Sequence, residues 1–396
     1  MQHPYPQIFL KPGREATLKK GHPWIFSGAL ASVQGQPEAG DMVLAADHAG
    51  TPLAYGFFNP RTDIAFRLLT YQTHAVPHDD FWRQRIRSAI ALRRQCVPAQ
   101  TSAYRLINAE GDGMPGLTAD CYGGFLVVSI ETAGMERRRT LILDMLQQET
   151  GCTGIYERSE GRARQREGLP DRSGPVQGDV PLEYHEVTEN GILFAVDIVS
   201  GQKTGFFLDQ RDNRHHIGRL SRGAAVLNCF SYTGGFSIYC IRGQAKRVIS
   251  VETSGRANDI ARHNLERNGC SLQSHPIVQA DVFRYLRETE ERFDLIILDP
   301  PAFAKAAGDV NRAARGYKDI NLQAMRRLQE GGLLATFSCS NYIDETLFRK
   351  IVLAAARDAG REARLLAPLG PGPDHPVALA HIEGRYLKGL LLMVTS

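Results

Sequence analysis

From about residue 205 onward, short continuous apolar runs alternate with stretches of helical periodicity. The runs are Ala225–Asn228, Arg247–Val251, His275–Val278, Leu295–Leu298, Leu333–Phe337 and Leu390–Val394. The stretches between them include Phe236–Arg242, Ser254–Asn268 and Ile320–Leu328. Strands buried on both faces read as unbroken apolar runs, and their alternation with helices predicts a doubly wound α/β sheet. A Rossmann-like domain is therefore expected over 186–396, with its ligand crevice at the carboxyl ends of the strands.

The pattern upstream is different. Residues 1–75 show short strand-like runs, Gln7–Leu10, Met42–Ala46, Leu53–Phe58 and Ile64–Leu69, separated by the turn segments Gly-Asp, His-Ala-Gly and Asn-Pro-Arg, which predict a small β domain. A middle α+β module over 76–185 follows. It has helices at 80–96 and Met135–Glu149 and strands at Tyr104–Asn108, Leu117–Asp120 and Phe125–Ile130. Arg158–Pro181 has no periodicity and reads as a long loop, and Glu189-Asn-Gly191 as the turn of a hairpin.

The chemistry-bearing residues fall at the ends of the later runs. Val226–Phe236 breaks at Gly234-Gly235, where a dinucleotide fold would need three spaced glycines around a pyrophosphate. A glycine pair suits a ligand without phosphate, such as S-adenosylmethionine. Glu252, 18 residues after Gly234, is placed to accept hydrogen bonds from ribose hydroxyls, and Asp281 to meet the adenine amino group. Asp299-Pro-Pro301 ends the fourth run with a stiff backbone and two missing N–H donors, which leaves acceptors for a planar base beside the methyl donor. Ser338-Cys339-Ser340 ends the fifth run and opens on the same crevice. A thiolate there can add to carbon 6 of a pyrimidine and make carbon 5 nucleophilic. Lys203 and Thr204 read either as a lid or as a packed hairpin end. Tyr317 and Lys318 read as substrate contacts or plain loop residues.

Composition narrows the class. The chain has 396 residues, 43% hydrophobic and 23% charged, with no apolar run near membrane-spanning length. Met1-Gln-His-Pro-Tyr-Pro carries no secretory pattern, and the seven cysteines lack Cys-x-x-Cys spacing, so a cytoplasmic protein without a metal site is expected. The net charge of +4 says little, but its clustering says more. Lys11, Arg14, Lys19 and Lys20 form one basic group. Arg83, Arg85, Arg87, Arg93 and Arg94 form another in a single expected helix, and nucleic-acid contact is expected at both, Arg83 and Arg87 representing the second.

The chain resembles the RlmI-like family of bacterial 23S ribosomal RNA cytosine-5 methyltransferases. The similarity lies in Gly201–Arg214, Asn228–Phe236, Leu298–Lys305, Gly316–Asn321 and Ser338-Cys-Ser340, and more weakly in Gly113–Asp120 and Asp374–Val377. Leu10–Glu15 and Gly21–Ser27 resemble a PUA domain. The resemblance implies an N-terminal PUA domain, a middle module and a class I methyltransferase domain using S-adenosylmethionine. It implies that Asn228, Phe230, Tyr232, Thr233, Gly234 and Gly235 line the methionine end of the cofactor. It also implies that Glu252 holds the ribose, Asp281 the adenine, and Asp299 both cofactor and target base, with Cys339 attacking that base. Many such enzymes have a second cysteine just after Pro-Pro; here the place holds Ala302. Methylation of a guanine nitrogen on the same fold, or a non-catalytic RNA-binding role, stays open at this level, as does homodimerisation.

Overall fold

The computed structural model describes residues 5–181, 183–304 and 306–396. Met1–Pro4 and Lys305, the last residue of the Leu298–Lys305 motif, lie outside them. The chain packs as two compact units. One comprises 1–190, 196–206 and 373–384; the other comprises 191–195, 207–372 and 385–396. The β domain and middle module expected from the sequence thus share one unit.

The first unit holds two sheets. The N-terminal sheet has six strands, in spatial order Trp24–Phe26, Ile64–Thr70, Pro52–Phe58, Met42–Ala46, Gln7–Leu10 and Leu30–Gln34. Trp24–Phe26 and Leu30–Gln34 are additions to the sequence reading; both are edge strands, the first only three residues long and the second with mostly exposed side chains, so neither shows a clear apolar alternation. The second sheet has five strands, and Arg172–Gly178 is its edge, antiparallel to Gly154–Ser159. This corrects the expected long loop over Arg158–Pro181, which contains that strand and the short helix Arg162–Arg166. Arginine, glycine and a proline are tolerated there because an edge strand needs fewer ladder donors and packs only one face. At 190–191 the expected tight turn forms, with φ of 50° at Asn190 and 75° at Gly191.

The second unit is a seven-stranded sheet, with strands numbered within it: β1 Ala225–Cys229, β2 Arg247–Glu252, β3 Ile277–Gln279, β4 Phe293–Leu298, β5 Leu328–Ser338, β6 Glu362–Leu369 and β7 Lys388–Thr395. Their order is β3-β2-β1-β4-β5-β7-β6, and β7 runs antiparallel to both neighbours. The strand order therefore reverses between β1 and β4, where open α/β sheets place their ligand. Leu227, Cys229, Ile296, Leu298 and Leu334 face one buried layer, whereas Val226, Leu295, Ile297, Ala335 and Phe337 face the other. Burial on both faces accounts for the unbroken apolar runs. β6 escaped the sequence reading because its side chains are mostly exposed and Pro368 interrupts it. No helix among the described residues is long and apolar enough to cross a membrane.

Candidate active site

Register aligns the strand ends. Cys229 pairs with Val251 on one side and Leu298 on the other, and Leu298 pairs with Thr336. The next residues along each strand, Phe230, Glu252, Asp299 and the Ser338-Cys339-Ser340 segment, therefore emerge at the same rim of the sheet. Asp281 follows β3 by two residues, and Glu252 pairs with Gln279. The structure thus brings together the crevice residues expected from the sequence.

The loop after β1 is the most constrained part. Phe230, Tyr232 and Gly234 all have left-handed backbones, with φ of 59°, 47° and 81°. For the two non-glycine residues such a conformation costs on the order of 1–3 kcal/mol each, and strain of this kind concentrates at ligand sites. The loop is pinned by the Ser231 N–H donating to Val251 O (3.1 Å) and by Asn264 Nδ2 donating to Thr233 O (3.0 Å). A Cβ on Gly234 would stand 3.3 Å from Ala261 Cβ and from Leu265 Cδ1, and one on Gly235 would stand 3.0 Å from Arg214 Cδ. The pair thus lets the following helix, Gly235–Arg242, pack closely as well as turn.

Glu252 faces this loop. Its Oε2 accepts from the Tyr232 N–H (3.1 Å), and its Oε1 from the Ser254 N–H (2.9 Å) and the Thr253 hydroxyl (3.1 Å). Asn228 is buried; its Nδ2 donates to Ser237 Oγ (2.9 Å), which is linked to Ser250 Oγ (2.7 Å). Asn228 Oδ1, Ser231 Oγ and Thr233 Oγ1 are buried without a hydrogen-bond partner among the described residues. Buried polar atoms are normally satisfied. Three unsatisfied atoms, one at the end of β1 and two on the strained loop that follows it, fit a polar ligand such as the amino-acid end of S-adenosylmethionine. Asp281 is exposed and caps the helix Val282–Glu288 by accepting from the Arg284 N–H (2.9 Å).

Cys339 is partly exposed, so the thiol is not sealed in the core. Its Sγ donates to the Pro300 carbonyl (3.9 Å), which ties the Asp299-Pro-Pro301 turn to the sulfur. Ser340 Oγ donates to Ala304 O (3.0 Å). Tyr317 sits in the helix Val310–Arg327, fully buried, and accepts from Ser338 Oγ (3.1 Å). This corrects its reading as a loop or substrate-strand residue: Phe303 and Phe348 pack on its ring, and burial pushes its hydroxyl up to about 12. Lys318 pairs with Asp358. Thr204, a candidate lid residue, is buried and donates to Asp120 Oδ2 (2.5 Å) within the first unit. The residue that sequence reasoning missed is Lys388, at the start of β7, whose position beside the thiol depends on a strand pairing 50 residues away in sequence.

The two basic groups differ. Lys11, Arg14, Lys19 and Lys20 are exposed, and of these Arg14 lines a cleft of about 260 Å³ together with Thr17, Ile25, Phe26, Gly28 and Ala29. Phe26 is 48% exposed, an aromatic surface that the charge pattern alone did not reveal. In the helix Asp79–Cys96, Arg83 and Arg87 both pair with Glu149, at 2.6 and 2.7 Å. Arg93 is buried against Asp112, and Arg85 packs on Phe81. The acid that pairs with Arg83 and Arg87 comes from another helix, Arg139–Thr150. No group of three or more potential metal ligands occurs among the described residues.

Comparisons with known proteins follow the same lines. A family model described as S-adenosylmethionine-dependent methyltransferase matches residues 105–362, and a PUA-like domain model matches 8–71. The chain is 44% identical over 389 residues to a ribosomal RNA large subunit methyltransferase I from Aeromonas salmonicida, covering 97% of this chain and 98% of the relative. A protein of the same name from Photobacterium profundum is 43% identical, with coverage of 98% and 99%. Among solved structures, a candidate methyltransferase complexed with SAH superposes with a TM-score of 0.84 at 24% identity, covering 98% of this chain and 99% of that one, which establishes likeness of fold.

Proposed function

The chain belongs to the ribosomal RNA large subunit methyltransferase I family, and from that premise we propose that it methylates carbon 5 of a cytosine in 23S ribosomal RNA through a covalent adduct at Cys339. S-adenosylmethionine is its cofactor and, when bound, supplies an electrophilic methyl carbon. In this reading Asn228, Phe230, Tyr232, Thr233, Gly234 and Gly235 hold the amino-acid end, Glu252 the ribose, and Asp281 the adenine.

The observation that carries the proposal is the thiol at the end of β5, partly exposed and joined through the Pro300 carbonyl to the Asp299 turn at the end of β4. Carbon 5 of cytosine is a weak nucleophile. Addition of the Cys339 thiolate to carbon 6 places an electron pair at carbon 5, which takes the methyl group. A base then removes the carbon-5 proton, and the sulfur leaves as thiolate. Sulfur suits both ends of this sequence because it attacks and departs readily near neutral pH. Residue 302 is alanine, so that proton goes to another group. Asp299, at the rim beside the thiol, would accept from the exocyclic amino group of the base and keep its edge toward the sulfur. The base must leave its stack to reach this rim, which favours an unpaired segment of the RNA. The exposed Lys11, Arg14, Lys19 and Lys20, with Phe26, offer phosphate and stacking contacts to the same molecule.

Cys339→Ala is the test. The variant is expected to bind S-adenosylmethionine in calorimetry as the parent does, and to lose methyl transfer to ribosomal RNA from a strain lacking the enzyme. Undiminished transfer by that variant would discard the covalent route and favour a nitrogen target on guanine. Mapping the methylated position decides between the two bases directly.

A further inference from the structure

We propose that Lys388 is the cation that stabilises the Cys339 thiolate, making it a positioning residue for the nucleophile. The proposal rests on the reading of Cys339 given above. It begins with strand register. β7 runs antiparallel to β5, with Lys388 opposite Ser338 and Gly389 opposite Phe337. A Cβ on Gly389 would lie 2.5 Å from Phe337 Cδ1, so glycine there permits the close approach of the two strands. Lys388 Nζ donates to the Ser340 carbonyl at 2.6 Å. The lysine thus meets the chain on both sides of Cys339, at Ser338 through strand pairing and at Ser340 through its ammonium.

Lys388 is only 6% exposed. A lysine is rarely so buried without an opposite charge, because removing an ammonium from water is costly. One neutral carbonyl satisfies one of its three N–H groups. No carboxylate forms an ion pair with it among the described residues. Burial pushes the ammonium down to about 8. Of the neighbours that favour its charged form, Cys339 comes first, followed by Asp344 and Glu345, while Arg385 opposes it. The other titratable groups at the thiol are Asp299, at the rim beside it, and the Tyr317 hydroxyl, held neutral by burial. Electrostatic coupling is reciprocal: if the sulfur anion favours the ammonium, the ammonium favours the anion to the same degree.

The proton balance is simple. The Cys339 proton passes to water, and the charge left on sulfur is compensated by the ammonium already present at 388. When the thiolate adds to the base, the ammonium remains, ready for the sulfur's return as leaving group. The sign of the pH dependence follows. Below about pH 8 Lys388 is charged and the thiolate is supported, whereas above it the amine becomes neutral and the support is lost.

The measurement is the rate of iodoacetamide alkylation at Cys339, read by peptide mass spectrometry as a function of pH without RNA. This readout is independent of methyl transfer, so failure of the covalent mechanism and failure of this proposal are separately visible. The parent's alkylation midpoint is expected below the value of about 8.5 for a free cysteine. Lys388→Met is expected to raise it by about one pH unit or more, a tenfold loss of thiolate at neutral pH, and Lys388→Arg to restore part of the shift. An unchanged midpoint in Lys388→Met overturns the proposal. Should Lys388→Met fail to bind S-adenosylmethionine as a check of folding, the parent alone decides: a midpoint at or above that of a free thiol overturns it, and one below sustains it.

Discussion

The two basic groups of this chain look alike in sequence and are opposites in structure. Lys11, Arg14, Lys19 and Lys20 are all exposed, and Arg14 lines a cleft together with the half-exposed Phe26 ring. Along the helix Asp79–Cys96 four of the five arginines are engaged by their own protein: Arg83 and Arg87 by Glu149, Arg93 by Asp112, Arg85 by an aromatic ring, while Arg94 is exposed. The lesson is that a cation is available to a polyanion only where the fold has not already provided its anion. A stripe of arginines is ambiguous until the distant carboxylates are placed, and Glu149 lies more than 60 residues from both of its partners.

Substitutions can break this contrast. The largest effect is expected from Arg93→Met. Asp112 would be left buried without its partner, and the carbonyls of Arg105 and Asp374 would lose their donor. A loss of about 3–5 kcal/mol in denaturant unfolding is expected; little change would mean that the helix arginines are not structural. Next comes Phe26→Ala, expected to weaken RNA binding by about 1–3 kcal/mol in filter-binding titrations while unfolding stays as in the parent. Unaltered affinity would remove the stacking role and with it half of the contrast. The smallest effect belongs to Arg83→Ala. Its ion pair is solvent-facing, so both the unfolding midpoint and RNA affinity should match the parent. A clear drop in affinity would show that an arginine already paired with Glu149 still reaches RNA.

Much of the candidate crevice was legible because a parallel sheet writes itself plainly. β1, β2, β4 and the later part of β5 are buried on both sides, so their apolar runs are unbroken, and Asn228, Glu252, Asp299 and Cys339 stand at their ends. Edge strands were not legible. Trp24–Phe26 is apolar but only three residues long, Arg172–Gly178 has the composition of a loop, and Glu362–Leu369 is mostly exposed and carries a proline. Tyr317 was misplaced because its helix begins at Val310, ten residues before its first clear apolar periodicity. Lys388 was invisible for a third reason: its meaning depends on which strand lies beside it, and nothing local to Leu387-Lys388-Gly389 encodes that choice.

The path of the backbone has a practical outcome. It passes between the two units five times, at 190, 195, 206, 372 and 384, so neither half is a contiguous stretch of gene. A deletion from 373 onward would strip one half of the strand bearing Lys388 and the other of the segment that receives Arg93. Dissection of this enzyme into independently expressed pieces should therefore yield insoluble fragments, and its two activities, holding RNA and handling the methyl donor, are inherited as a single indivisible whole.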